Sequence, residues 1–119
     1  MNIIGPLIQF QQQLRIFHWQ TDSFAEHKAF GKTYEAFDGL IDSFVETYMG
    51  KFGKIKPTIT FSITLKSLIG SDTIKEILQD FENYLISMSE EIASETYLLN
   101  IRDEMQAQIN VLRYLLTLR

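Results

Sequence analysis

The chain has 119 residues, of which 45% are hydrophobic and 13% aromatic, enough for one ordinary core but too few for two domains. It contains no Cys, which excludes disulfides and thiol chemistry and fits a reducing interior, so we expect a cytoplasmic protein. The net charge of −4 leaves no excess of cations to neutralise a phosphate backbone, which disfavours direct nucleic-acid binding. The start, MNIIGPLIQFQQQLR, lacks a basic n-region and a bilayer-length apolar run, so we expect no targeting segment and no membrane helix.

The first half of the chain carries two series of apolar residues at intervals of three and four, the spacing of amphipathic helices. The first series predicts helix 1 from about residue 3 to about residue 20, and the second predicts helix 2, ending near Gly50–Gly53. Between them, Thr21-Asp22-Ser23 supplies turn and N-cap residues. His18 and His27 lie at nearly equal distances from this turn on opposite arms of a helical hairpin, so their rings can approach each other.

The middle of the chain is predicted to be extended. Pro57 and the alternating β-branched run Thr58–Leu65 break the helical period, which indicates an extended connection with a short strand or turn. An extended chain rises about 3.3 Å per residue, so this segment can travel the length of a helical bundle. Helices 2 and 3 therefore need not be hairpin partners.

Two further apolar series predict helices 3 and 4. We expect helix 3 to be capped by Ser71 or Asp72 and to end near Ala93, and helix 4 to run from Glu95 almost to Arg119. The predicted fold is all-α, a four-helix bundle with a long crossover between helices 2 and 3. Residues 1–119 form a single domain in this prediction.

Potential metal ligands stand in the first half of the chain: the imidazoles of His18 and His27, and the carboxylates of Asp42 and Glu46. Asp42 and Glu46 share one helix face and can chelate, and imidazole with carboxylate suits Fe(II), Mn(II) or Zn(II). No motif for an organic cofactor is present. A helix separates His27 from Asp42 by roughly 22 Å, so one chain cannot gather the four ligands. Two chains packed antiparallel about a two-fold axis can, so the predicted metal site belongs to a homodimer.

The stretch HWQTDSFAEHKAFGKTYEAFDGLIDSFVETYMGKFG resembles the first helical hairpin of the Dps miniferritins, in the ferritin-like superfamily. The family pattern is a His-Trp pair, then Phe and His, then Tyr, and finally Asp with Glu four residues later. In this sequence those positions are His18-Trp19, Phe24, His27, Tyr34, Asp42 and Glu46. The stretches Glu95–Leu99 and Val111–Leu115 are also similar to the family's last helix, so the resemblance spans most of the chain.

The resemblance implies a ferritin-like bundle with an inter-subunit ferroxidase centre, in which His18 and His27 of one chain face Asp42 and Glu46 of its two-fold mate. It also implies oxidation of iron by oxygen or peroxide and a spherical dodecamer that stores iron. The sequence departs from the family pattern at Gly31, where a further carboxylate is usual, and in a His18–His27 interval that is shorter by about three residues. It also lacks a basic N-terminal arm and the usual helix in the middle connection.

These departures leave a second hypothesis open, a non-catalytic helical scaffold or interaction protein that has kept the dimer and lost the metal chemistry. Gly31 is its best evidence, because it offers no ligand. The acids of helix 2 can also form an ordinary solvated face, although no Lys or Arg lies between Lys32 and Lys51 to pair with them. Such unpaired acids favour a cation or a basic partner, whereas DNA protection ranks below both hypotheses on charge grounds.

Helix 2 carries more apolar residues than a single buried stripe requires, which predicts contact with a second copy of the chain. These residues are Phe30, Tyr34, Phe37, Ile41, Phe44 and Tyr48. The homodimer is thus expected on two grounds, the spacing of the metal ligands and the apolar surface of helix 2.

Overall fold

The structure, a computed structural model, describes residues 3–118. It contains four helices: α1 (Ile4–Gln20), α2 (Phe24–Phe52), α3 (Ser71–Glu91) and α4 (Thr96–Leu115). Over this range there is no strand, and no helix has the length and apolar content needed to cross a membrane. The predicted all-α four-helix bundle with a long crossover is confirmed. Arg119, near which helix 4 was expected to end, lies outside the described residues.

Each helix buries one apolar stripe in a common core, as the spacing of three and four requires. The aromatic centre of the core is formed by Phe10, Phe37 and Phe81. The rings of Phe10 and Phe81 stack with centroids 3.9 Å apart, and those of Phe10 and Phe37 meet edge-on at 5.2 Å. Burial of a side chain of this size stabilises a fold by about 1.5–3 kcal/mol, so these rings tie α1, α2 and α3 together.

The crossover determines the topology of the bundle. Helix α1 packs against α2 and α3, and α4 packs against the same two helices, so α1 and α4 lie diagonally opposite each other. Helix α2 runs back along α1, and the crossover then returns along α1 to the α1/α2 turn. There the main-chain N–H of Leu68 donates to the Gln20 side chain at 2.6 Å. Helix α3 therefore begins beside the α1/α2 turn and runs parallel to α2.

The crossover, residues 53–70, is extended with a turn, as predicted, and forms no strand among the described residues. It begins at Gly53, which ends α2 with a φ of 93°, a backbone conformation that residues other than glycine rarely adopt. A turn at residues 57–58 precedes the extended part. Three glutamines of α1 hold this part by hydrogen bonds: Gln9, Gln13 and Gln20.

The start of α3 differs from the prediction. Gly70 is the N-cap and Ser71 is the first helical residue, so neither Ser71 nor Asp72 caps the helix with its side chain. Asp72 instead lies in the first turn, where a carboxylate interacts favourably with the helix dipole. The helix ends at Glu91, close to the predicted end, and the buried Ile92 starts the connection to α4.

Candidate functional site

His18 and His27 are brought together across the α1/α2 turn. Their ring centroids are 3.8 Å apart, and the ring planes lie 15° from parallel. The Nδ1 of His18 donates to the main-chain oxygen of His27 at 2.6 Å, and the Nδ1 of His27 donates to the main-chain oxygen of His18 at 2.8 Å. This pair, the histidine clasp, confirms the prediction that the two rings approach each other.

The two hydrogen bonds of the clasp determine which ring nitrogen is left for a ligand. A carbonyl oxygen can only accept, so each Nδ1 carries a hydrogen. In a neutral imidazole the Nε2 atom then has the lone pair, and it is the nitrogen that could bind a metal ion. Histidines that bind metals are commonly oriented by such a hydrogen bond from their other nitrogen.

Side chains of the turn hold the two helix ends at this spacing. Ser23 caps α2, as predicted for this turn, by accepting a hydrogen bond from the main-chain N–H of Glu26 at 3.2 Å. The Thr21 hydroxyl donates to the Glu26 carboxylate at 2.7 Å and accepts from the main-chain N–H of Ser23 at 3.1 Å. A cap of this kind contributes about 0.5–2 kcal/mol, and here it also fixes the register of His18 against His27.

Gly31 provides the space for the His18 ring. A Cβ added at Gly31 would lie 2.9 Å from Cε1 and 3.1 Å from Nδ1 of His18, well inside van der Waals contact. The sequence reasoning treated Gly31 only as an absent ligand, whereas the structure makes it a requirement of the clasp. The available signal was a glycine in a helix interior, which is less stable than Ala by about 0.5–1 kcal/mol and therefore needs a packing reason.

A cationic and aromatic cluster borders the clasp and was missed by the sequence reasoning. The guanidinium of Arg15 donates to the Tyr34 hydroxyl and lies 4.2 Å from the centroid of the Tyr34 ring. It also lies 5.7 Å from the ring of Trp19, one turn further along α1. With His18 and Glu35 these residues line a surface cleft. The spacing of Arg15 and Trp19 by one helical turn was the available signal.

Asp42 and Glu46 are exposed on α2, one turn apart. Because α2 is continuous from Phe24 to Phe52, Asp42 lies roughly 22 Å along the helix from His27. Within residues 3–118, no group of three or more potential ligands is close enough to hold a metal ion. Among residues 3–118 the structure pairs only the two histidines of the four predicted ligands.

The apolar residues of α2 are used inside the chain. Phe30, Phe37 and Phe44 are fully buried, and Ile41 is 9% exposed. Helix α2 packs against both α1 and α4, so it needs a wider apolar stripe than a helix with one neighbour. The surplus that predicted a dimer contact is therefore explained by the core of a single chain. Beside the clasp, the exposed aromatic residues are instead Trp19 and Phe24, at 65% and 74% exposure.

The fold and the clasp define a small helical-bundle protein with a polar site between its first two helices. The chain belongs to a family of unknown function, DUF5856, whose sequence model matches residues 18–116. It is also similar to an uncharacterized 14.6 kDa protein from the mobD-ri intergenic region of Enterobacteria phage T4, with 36% identity over 74 residues. That match covers 62% of this chain and 56% of the phage protein, so it spans little more than half of the relative. No solved structure matches the chain.

The assignment to the Dps miniferritins is therefore wrong. The family that covers nearly the whole chain is one of unknown function, and neither it nor the phage relative is described as a ferritin. The dodecamer and the iron store implied by the resemblance lose their basis. A few His, Asp and Glu residues at helical intervals are a short pattern that unrelated helical hairpins can share. The homodimer and its metal ions then depend on residue geometry alone.

Proposed function

We propose that two copies of this chain bind divalent metal ions, Fe(II) being the first to test, between His18 and His27 of one copy and Asp42 and Glu46 of the other. The histidine clasp carries the proposal. Both Nδ1 atoms are committed to main-chain oxygens, which leaves both Nε2 lone pairs for ligands. Gly31 supports it as well, because a helix-interior glycine lowers helix stability and here makes room for the His18 ring.

The carboxylates are suited to complete such a site from a second copy. Asp42 and Glu46 are exposed, lie one turn apart, and form no ion pair with any residue in the range 3–118. An antiparallel arrangement of two α2 helices about a two-fold axis would place the His27 end of one opposite the Asp42 end of the other. The arrangement repeats by symmetry, so each dimer would contain two equivalent sites.

The stacked rings limit how the ions can bind. An imidazole binds a metal ion in the plane of its ring at about 2.0–2.1 Å. Because the ring planes are nearly parallel and the centroids 3.8 Å apart, one ion between them would lie well out of both planes. Each Nε2 would therefore hold an ion of its own, and Asp42 and Glu46 of the other copy would supply further ligands. Sharing a single ion would require the clasp to open, at the loss of at least one hydrogen bond worth about 1 kcal/mol.

The donor set indicates which ions to expect. Imidazole and carboxylate suit Fe(II), Mn(II) and Zn(II), and no organic cofactor is required. Fe(II) held there with an open coordination position would be oxidised by oxygen or peroxide. His18 and His27 would bind the metal ions through Nε2, while their Nδ1 hydrogen bonds hold the rings in place. A cytoplasmic location, which the absence of Cys fits, would keep iron in its divalent state.

Metal uptake tests this proposal directly. The purified protein is incubated anaerobically with Fe(II), or separately with Mn(II) or Zn(II), and each size-exclusion fraction is analysed for metal and mass. We expect stoichiometric metal on a dimer or a larger species, and at least about a tenfold loss of affinity in His27→Ala. Glu90→Gln, which removes an exposed carboxylate of α3, is the matched control and should bind as the wild type does. A wild-type protein that takes up none of these ions would overturn the proposal.

Mixing two variants tests whether the site is shared between copies. His27→Ala keeps both carboxylates, and the double variant Asp42→Asn/Glu46→Gln keeps both imidazoles, so each variant alone should bind metal at least about tenfold more weakly than the wild type. In a mixed dimer one of the two sites is complete, so metal binding should return on mixing. Failure of the mixture to bind, when the wild type does, would mean that the ligands do not come from two copies.

The non-catalytic scaffold remains the second candidate, and two observations favour it. The clasp already closes the hairpin through its own hydrogen bonds and ring stack, without any ion. The exposed Trp19 and Phe24 beside it are suited to a partner protein. In that function Asp42 and Glu46 would meet a basic surface, so salt rather than a chelator would release the partner. A dimer that stays free of metal would select this candidate.

A further inference from the structure

The inner edge of the extended crossover is paired with α1 through glutamine side chains. Gln13 accepts from the main-chain N–H of Lys66 at 2.7 Å and donates to its main-chain oxygen at 2.8 Å, as a neighbouring strand would. The main-chain N–H of Thr64 donates to Gln9 at 3.0 Å, and that of Leu68 donates to Gln20. All three crossover residues are even-numbered. Because successive main-chain groups of an extended chain point to opposite edges, the even-numbered groups from Thr64 to Leu68 face α1.

The outer edge of the same segment is open. If the alternation seen from Thr64 to Leu68 continues, the main-chain groups of Phe61, Ile63 and Leu65 face away from α1, and within residues 3–118 they make no hydrogen bond. Ile59 differs, because its N–H donates to the main-chain oxygen of Lys56 at 3.2 Å and only its carbonyl is left. An extended edge with unpaired N–H and C=O groups is a template for pairing with another strand.

The side chains along this edge alternate in a way that matches a second copy of the same segment. The odd-numbered residues are apolar and 39–50% exposed: Ile59, Phe61, Ile63 and Leu65. The even-numbered residues from Thr58 to Thr64 are all Thr or Ser, and no charged residue occurs from Pro57 to Leu65. The four apolar positions are symmetric about Ser62.

We propose that residues 58–65, the edge segment, pair antiparallel with the edge segment of a second copy about a two-fold axis at Ser62. Phe61 would then lie opposite Ile63 of the partner subunit, and Ile59 opposite Leu65 of the partner subunit. Aromatic and β-branched residues form favourable cross-strand pairs, as do Thr residues. The outward groups would form about six N–H···O=C bonds, ending where Pro57 has no N–H.

The positions of the lysines favour a two-fold axis at Ser62 over one shifted to Phe61. A two-fold axis at Phe61 would place Lys56 directly opposite Lys66 of the partner subunit, and like charges in that position are destabilising. With the axis at Ser62, Lys66 lies opposite an uncharged Thr. The segment also follows α1 on the side of α3, away from the histidine clasp between α1 and α2. The pairing thus uses no residue of the proposed metal site.

Single cysteine variants test this pairing cleanly, because the chain has no Cys of its own. Residues on the axis form a non-hydrogen-bonded pair with Cα atoms about 4.5 Å apart, a distance that a disulfide can bridge. In glutathione disulfide buffer Ser62→Cys should therefore form a covalent dimer. Thr60→Cys is the matched control, since the two copies of that residue would be roughly 13 Å apart and should stay uncross-linked. No cross-link at Ser62→Cys, or equally fast cross-linking of both variants, would overturn the proposal and leave the edge to solvent or another partner.

Two added substitutions separate backbone pairing from accidental contact. Ile63→Pro removes an outward N–H, so in the Ser62→Cys background it should slow cross-linking by at least about tenfold. Asp42→Asn/Glu46→Gln in the same background should leave cross-linking unchanged, which keeps this result independent of the metal proposal. If Ile63→Pro has no effect, or if the loss of the acids abolishes cross-linking, the proposed pairing is wrong.

Discussion

The two helical hairpins of the bundle are closed in different ways. The α3/α4 hairpin is joined by the buried Ile92, by an ion pair between Arg113 and Glu82, and by a hydrogen bond from Gln106 to Glu82 at 2.7 Å. The α1/α2 hairpin is joined by the histidine clasp and needs a glycine inside a helix. Ordinary helix packing accounts for the first closure. The second uses residue types that stability alone does not require, which is why the candidate function is placed there.

The largest expected effect tests whether Gly31 is needed for the clasp. Gly31→Ala would force the new Cβ against the His18 ring, and overpacking of this kind destabilises by about 1–3 kcal/mol. Gly39 lies on the same helix, is exposed and has no atom within 4 Å of an added Cβ, so Gly39→Ala should stabilise by about 0.5–1 kcal/mol. Urea unfolding of the two variants measures the difference. Equal stabilisation by both would show that the clasp does not depend on Gly31.

A double-mutant cycle of His18→Ala and His27→Ala measures how much the ring stack contributes. Each ring donates to a main-chain oxygen, which survives when the other ring is removed, so the two hydrogen bonds should be additive at about 1 kcal/mol each. The coupling energy therefore reports the stack, and we expect about 0.5–1 kcal/mol. The Glu82–Arg113 pair of the other hairpin gives the comparison. Strict additivity at the clasp would mean that the rings are merely neighbours.

The smallest expected effect concerns pH and the α3/α4 hairpin. The hydrogen bond from Arg113 holds the pKa of Glu82 below its ordinary value of 4.5, against the opposing effect of burial. A carboxylate whose pKa is lowered in the folded state stabilises the fold at pH values above its ordinary pKa. This contribution is lost as the pH falls through the folded-state pKa. The free energy of unfolding should therefore decrease less steeply between about pH 6 and pH 3 in Glu82→Gln than in the wild type. The expected difference is less than about 1 kcal/mol.

The control for this pH series is Glu76→Gln, which removes an exposed carboxylate of the same helix. Its pH dependence should match that of the wild type. If both variants change the free energy of unfolding at acidic pH by the same amount, the effect is caused by the change in net charge and not by the loss of the Arg113 contact.

The helices could be predicted because the spacing of apolar residues follows from the helical repeat, which is a local property of the chain. Apolar residues at intervals of three and four predicted all four helices, and Thr21–Ser23 predicted the turn that carries the Ser23 cap. Pro57 and the alternating run after it predicted the extended crossover. The cap of α3 was predicted wrongly, because the choice among Gly70, Ser71 and Asp72 depends on how the crossover enters the helix. The Dps assignment failed because seven positions of one hairpin and two short stretches of the last helix do not define a family.

The sequence by itself determined that His27 and Asp42 are far apart in one chain, since the rise of a continuous helix leaves no alternative. It also determined that His18 and His27 can meet, since both are close to one short turn. Only the tertiary structure decided that the rings exchange hydrogen bonds with each other's main chain, and that Gly31 is the space for one of them. It also decided that Phe30, Phe37 and Phe44 of α2 are core, because burial depends on which helices pack on both sides of α2.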